Sequence, residues 1–425
     1  MGLKPTWRAV PYDAALKAPL GTARGAIASR QGWYVAVEAF GTTGLGEVTA
    51  EPAWGTERPE EVQAGLVAIG AWSGRPLASQ APRPPCGPPL PGGEGSAEAD
   101  GPSPPLIQLP VRPGLAAHAA PLSGTERVRV SGGEVPEAQA ALTAWLAASP
   151  VSAKTHPALH AALELALLDA LARASGQPLA GLLAAGAAPR ASVPTAALVG
   201  ALPPEEAARQ AARAVAAGHR TVKLKLDGTD DVARATAVRA AIGPEVALRL
   251  DANALWPDVD DAAGAMAAFI PLAPEFFEQP VSGLEALATL QPRVPFPLAA
   301  DEALVDAAAC ERALALGVPV LVLKPMWRGG LLAARAVAAR AQVSGARLVL
   351  SSSLDRGVGT AGVLHLAAAL AEPGCVGLGT LGLYADGGAL AGLGPVAGSL
   401  AVPTVPGLGG QLRDPLLRQL AEVAA

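Results

Sequence analysis

The chain has 425 residues, 51% of them hydrophobic, and its 32 Lys and Arg against 37 Asp and Glu give a net charge of -5. This is length enough for two domains and apolar content enough for a large core, and no positive field draws the chain to nucleic acid or to an anionic membrane. Three cysteines, Cys86, Cys310 and Cys375, offer neither a C-x-x-C spacing nor a disulfide framework, so a reducing, cytoplasmic setting and a small-molecule partner are expected.

The opening MGLKPTWRAV lacks the apolar stretch of a signal peptide, and no later run is long and apolar enough to span a bilayer, so neither export nor a membrane partner is expected. Residues 1–72 read as short strands followed by a helix, with GWYVAVEAFGTTGLGEVTA alternating around a Gly-rich turn as a hairpin does. From about 74 to 115 Pro, Gly and Ser dominate, which reads as a disordered insertion without chemistry. Helical periodicity returns in PEAQAALTAWLAA and HPALHAALELALLDALARASG. His156 and His160 in the latter stand at i, i+4, but without the glutamate of H-E-x-x-H they read as ordinary helix-start residues.

A regular beat begins after residue 190. ASVPTAALVG, TVKLKL, VALRLDAN, PEFFEQP, FPLAADE, VPVLVLKP, ARLVLSSS and CVGLGTLGLY read as strands, with Ala/Leu/Arg-rich helical segments in most gaps. Eight strands alternating with helices predict an α/β fold built on a (β/α)8 barrel. The strands end on Lys225, Asp251, Glu278, Asp301, Lys324 and Ser351, spaced 23 to 27 residues apart, one strand-helix unit each. In a closed barrel those ends ring a single mouth.

Three carboxylates from adjacent strands would repel one another there. A hard divalent cation is the natural neutraliser, and oxygen-only ligands favour Mg2+, with Mn2+ as a substitute, so Asp251, Glu278 and Asp301 are the expected metal ligands. Lys225 and Lys324 face each other across the metal. Lys223, on the same strand face as Lys225, adds like charge that helps Lys225 act as a neutral base toward a proton next to a carboxylate, while the metal holds the enediolate oxygens.

The motifs KLK (Lys223, Lys225), DAN (Asp251, Asn253), EQP (Glu278), DE (Asp301, Glu302) and LKP (Lys324) resemble those of the enolase superfamily. Within it, SSSLDRGVG and GLGTLGLY are most similar to the o-succinylbenzoate synthase family of the muconate-cycloisomerase-like subgroup. The resemblance implies an α+β capping domain over 1–150, the barrel over 151–385, and a tail over 386–425 returning to the capping domain. It implies a carbon-oxygen lyase in menaquinone biosynthesis, the Mg2+-dependent syn-dehydration of 2-succinyl-6-hydroxy-2,4-cyclohexadiene-1-carboxylate. Lys225 would be the base and Lys324 a cation over the ring. Arg249, Asn253, Ser351, Ser352, Ser353 and Gly377 would contact this dicarboxylate, and LGTARGAIASRQGW would cover the pocket. N-acylamino acid racemases, dipeptide epimerases and lactonising cycloisomerases are the alternatives within the superfamily, and a monomer and a homo-oligomer are equally compatible with the sequence.

Overall fold

The computed structural model describes residues 3–22, 25–73, 130–131, 133–372 and 374–422. The insertion expected over 74–115, with Cys86, lies outside the described residues. At the N-terminal end three strands, Thr6–Thr22, Gly25–Ala39 and Thr42–Val48, pair antiparallel in chain order. The first two are longer than the sequence suggests. Tyr12, Ala14 and Leu16 are buried while Pro11, Asp13, Ala15 and Lys17 are exposed, a strict period of two that alanines on both faces conceal. The hairpin turns on Phe40 and Gly41, whose φ values of 55° and 72° are those of the primed turn that suits strand twist.

Helix Pro157–Ala174, with fifteen buried residues, lies on the third of these strands. Only glycine permits the approach, because a Cβ on Gly46 would stand 1.9 Å from the Ala162 carbonyl oxygen. Gly46→Ala is therefore expected to cost about 2–3 kcal/mol of stability. A drop in the unfolding midpoint checks this, and an unchanged midpoint contradicts it. The same helix reaches the barrel, since its Glu164 accepts hydrogen bonds from Leu331 and Leu332 at the start of helix Leu331–Ser344. The C-terminal helix Pro415–Glu422 packs on the first two strands.

Seven parallel strands follow in unbroken neighbour order: Ala197–Val199, Thr221–Lys225, Ala247–Asp251, Phe276–Glu278, Leu298–Ala300, Val320–Leu323 and Arg347–Leu350. Seven helices separate or follow them, from Pro204–Ala216 to Val358–Ala369. The eighth position is filled by Val376 and Gly377, which bridge Thr195 on one side and Ser351 on the other and so close the sheet on itself. Val376 N–H donates to the Pro194 carbonyl and Gly377 N–H to the Leu350 carbonyl, at 2.9 and 2.8 Å. The expected run CVGLGTLGLY is thus a short bridge followed by a turn of helix at Leu381–Leu383, because its glycines give a strand little to pack. Inside the closed sheet, Phe276, Ala299, Val320, Val322 and Val349 form an apolar cluster of their own.

His365 stands inside helix Val358–Ala369 with no exposure. Its Nε2 donates to the Leu408 carbonyl at 2.9 Å and its Nδ1 accepts from Ala180 N–H at 3.1 Å, which suits the neutral ring only. Burial pushes its pKa down to about 4, against the ordinary 6.5. Between these values the unfolded chain binds a proton that the folded chain refuses, so stability falls as pH drops from 6.5 toward 4, by about 3 kcal/mol at most. Unfolding midpoints across this range should show a slope that His365→Gln lacks.

Candidate active site

The second, third and fourth barrel strands set the central layer. Lys225, Asp251 and Glu278 are register partners, and Asp301 and Lys324 directly follow the fifth and sixth strands, so apolar β-structure delivers five charged groups to one end of the barrel. Lys225 Nζ donates to Asp251 Oδ2 and Asn253 Oδ1, both at 2.7 Å. Lys223 Nζ reaches up the same face to Glu278 Oε1 and Oε2, at 2.7 and 2.8 Å, and to Asp251 Oδ2 at 2.8 Å. Lys324 Nζ is paired with both oxygens of Asp301. Gln279 steadies this last group, its Oε1 accepting from Asp301 N–H at 2.8 Å.

Lys223 therefore bridges two of the expected metal ligands, and its charge is largely offset by theirs rather than bearing on Lys225. Burial pushes Lys223 down, but Asp251, Glu278 and Asp301 outweigh it and hold the group well above the usual lysine range. Burial pushes Asp251 up, yet Lys223 and Lys225 hold its carboxyl well below the usual carboxylate range. Glu278 goes the other way, to about 8, through burial and the nearby Asp251. One site so holds carboxyl groups whose environments drive them in opposite directions.

Among the described residues no three Asp, Glu, His or Cys side chains stand as an open ligand group for a metal. The ammonium groups explain this, since Lys223 lies between Asp251 and Glu278 and Lys324 lies against Asp301. The donor set itself fits a hard divalent cation: buried carboxylates, oxygen donors only, on three successive strands. With Glu302 added, four carboxyl groups meet three ammonium groups, and the raised Glu278 marks where positive charge falls short.

A cavity with about 730 Å3 of empty space, part of it open to solvent, lies over this layer. Lys223, Lys225, Asp301 and Lys324 line its floor, and Ser351, Ser352, Ser353 and Gly377 line one side. Leu20 and Ile27 from the covering segment close it from the capping sheet; Ala23 and Arg24 of that segment lie outside the described residues.

Two expected substrate contacts sit elsewhere. Asn253 is not among the lining residues; it holds Lys225 and donates to Glu302 at 2.9 Å. Arg249 lies one layer deeper, over the Phe276 ring at 4.9 Å, bound to Glu275 at 2.6 Å and to the Cys375 carbonyl at 2.9 Å. The inward face was read correctly, but two residues along a strand separate the mouth from the barrel floor.

The aromatic residues of the site and Glu51 were not read from the sequence. The Trp54 ring lies 5.9 Å from Lys225 Nζ and 5.4 Å from Lys324 Nζ, and the Trp327 ring lies 5.7 Å from Lys324 Nζ. Arg30 and Glu51, an ion pair from the capping side, also line the cavity. Trp327 was findable, three residues after Lys324. Arg30 belongs to the segment LGTARGAIASRQGW expected to cover the pocket, while nothing in local sequence marks Trp54.

Residues 206–416 match the family described as Enolase C-terminal domain-like. A relative from Thermobifida fusca, named o-succinylbenzoate synthase, is 39% identical over 207 residues, which is 46% of this chain and 62% of that one. The chain thus spans less than two thirds of that relative's length. Among solved structures, an N-succinyl Arg/Lys racemase from Bacillus cereus superposes with a TM-score of 0.76 at 18% identity, covering 99% of this chain and 98% of that one. A dipeptide epimerase from Enterococcus faecalis, complexed with Mg and a dipeptide, does so with a TM-score of 0.73 at 23% identity, covering 96% and 99%. The barrel, its ring of strand-end charges and these matches agree: over residues 206–416, just under half of its length, the chain matches the enolase superfamily.

Proposed function

We propose that the chain is an o-succinylbenzoate synthase, a cytoplasmic hydro-lyase of menaquinone biosynthesis that removes water from 2-succinyl-6-hydroxy-2,4-cyclohexadiene-1-carboxylate. The observation that carries the reading is the placement of Lys225 and Lys324 at one cavity, beside Asp251, Glu278 and Asp301. The name of the relatives at about 40% identity supports the choice of reaction.

Asp251, Glu278 and Asp301 would hold a divalent cation, Mg2+ by its oxygen donors, which supplies positive charge beside the substrate carboxylate. Lys225, having released its proton, takes the hydrogen from the carbon bearing that carboxylate. The electron pair of the broken C–H bond becomes a ring C=C bond as the neighbouring C–O bond breaks. The departing hydroxide collects the proton from Lys225 Nζ and leaves as water from the same face, and the ring becomes aromatic. Asp251 and Asn253 aim Lys225, while Lys324 stays an ammonium beside the ring. Trp54, Trp327, Leu20 and Ile27 keep bulk water from the cavity.

Two lysines at one cavity also suit exchange of an α-proton between faces, which makes an N-acylamino acid racemase or dipeptide epimerase the second reading. Incubation in heavy water separates the two. Dehydration of the cyclohexadiene without α-deuteration of acylamino acids or dipeptides supports the synthase; deuteration without dehydration supports the alternative.

A further inference from the structure

We infer that Glu164, from helix Pro157–Ala174, is a positioning residue for Lys324: it fastens the loop of residues 324–330 at its helix end and so holds the Lys324 ammonium at the cavity. The catalytic part given to Lys324 rests on the function proposed above; the fastening does not. Lys324 directly follows the sixth barrel strand, and the chain then makes a short helical turn, Pro325–Trp327, before helix Leu331–Ser344 begins. Trp327 N–H donates to the Lys324 carbonyl at 2.9 Å, and Arg328 and Gly330 N–H donate to the Pro325 carbonyl at 3.1 and 3.0 Å, which folds the loop on itself.

Two anchors hold this loop. On the cap side Trp327 Nε1 donates to the Thr49 carbonyl at 2.6 Å and Arg328 Nη2 to the Trp54 carbonyl at 2.9 Å. The helix end has no anchor of its own, because Gly330 stands at the helix cap and offers no side chain to the first-turn N–H groups. Glu164 supplies one. It is 3% exposed, and its Oε1 accepts from Leu331 N–H at 2.5 Å and from Leu332 N–H at 3.1 Å. A Cβ on Gly330, whose φ is 102°, would stand 2.3 Å from that same oxygen, so only glycine admits the carboxyl group here. His160, one turn earlier on the same helix, meets the loop through a hydrogen bond with the Gly329 backbone.

Burial pushes the Glu164 carboxyl up to about 7, against the Leu332 and Leu331 hydrogen bonds and Arg335, which lower it. Both bonds end on one oxygen, so they persist when the acid is replaced by its amide. Without Glu164 the first-turn N–H groups lose their acceptor where the loop enters its helix. The loop then keeps only its cap-side anchor, and Lys324 Nζ is no longer held at Asp301 and the Trp54 and Trp327 rings.

The test is reductive methylation of the lysines with Mg2+ present, timed and mapped by peptide mass spectrometry, on wild type, Glu164→Ala and Glu164→Gln. Glu164→Ala should speed methylation of Lys324 by about threefold or more and leave Lys223 and Lys225 within about 1.5-fold, whereas Glu164→Gln should match wild type. Circular dichroism establishes folding, and if Glu164→Ala does not fold, Glu164→Met, which fills the space without an acceptor, decides in its stead. Equal acceleration at all three lysines, none at Lys324, or a Glu164→Gln that behaves as the alanine variant overturns the inference. Kinetics carry the test to the reaction. Glu164→Ala should lower kcat for dehydration by about tenfold, and in the Lys324→Ala background it should change kcat by no more than about twofold, because its effect passes through Lys324. A further tenfold loss in that background also overturns the inference. Wild type that shows the methylation pattern but fails to dehydrate the cyclohexadiene overturns the synthase reading and leaves the Glu164 assignment standing.

Discussion

Lys225→Ala is expected to lower kcat for dehydration by about 10^3- to 10^4-fold, the range lost when a positioned general base is removed, with little change in KM. The fold should persist. Asp251 keeps Lys223 at 2.8 Å, so no buried carboxylate loses its last counter-charge. Lys225→Arg keeps the cation near Asp251 but cannot give up its proton, and it should be as inactive as the alanine variant. Stopped-flow or steady-state assays of the purified variants check both. Substantial activity in either would move the base elsewhere, to Lys324 first.

Asp251→Asn should damage stability and catalysis together. Its Oδ2 accepts from Lys223 and Lys225, and the carboxylate is wholly buried, so the neutral amide leaves two buried ammonium groups short of their counter-charge. Removing one partner of such a pair costs about 3–5 kcal/mol. The unfolding midpoint should fall accordingly, and metal affinity measured by titration should fall with it. Glu278→Gln offers a contrast. That side chain is already driven toward its neutral form, at about 8, by burial and by Asp251, so its neutralisation should cost the protein less stability than that of Asp251. A Glu278→Gln variant less stable than Asp251→Asn would contradict this ordering.

The barrel was legible because each unit repeats one pattern, an apolar run that ends on a charged residue. That pattern puts Lys225, Asp251, Glu278, Asp301 and Lys324 in a common layer, and in the structure Lys225, Asp301 and Lys324 line the cavity while Asp251 and Glu278 are tied to it through Lys223. What the pattern lacks is depth. Arg249 shares the inward face with Asp251, but alternation says only which face a side chain takes, not which layer its long stem reaches. Lys223 shows the reverse, since its stem climbs one layer to Asp251 and Glu278. Trp54 was invisible for a different reason. Its place depends on how the capping strands dock on the barrel, a contact between residues such as Thr49 and Trp327 that are 278 positions apart.

Dehydration of a cyclohexadiene dicarboxylate at this site is tested most directly by the ultraviolet absorbance of that substrate over time with purified protein, with Mg2+ and with a chelator. Rapid loss of the diene signal with stoichiometric o-succinylbenzoate is expected, dependent on the metal and absent in Lys225→Ala. An unchanged diene signal with folded, Mg2+-supplied protein would contradict it.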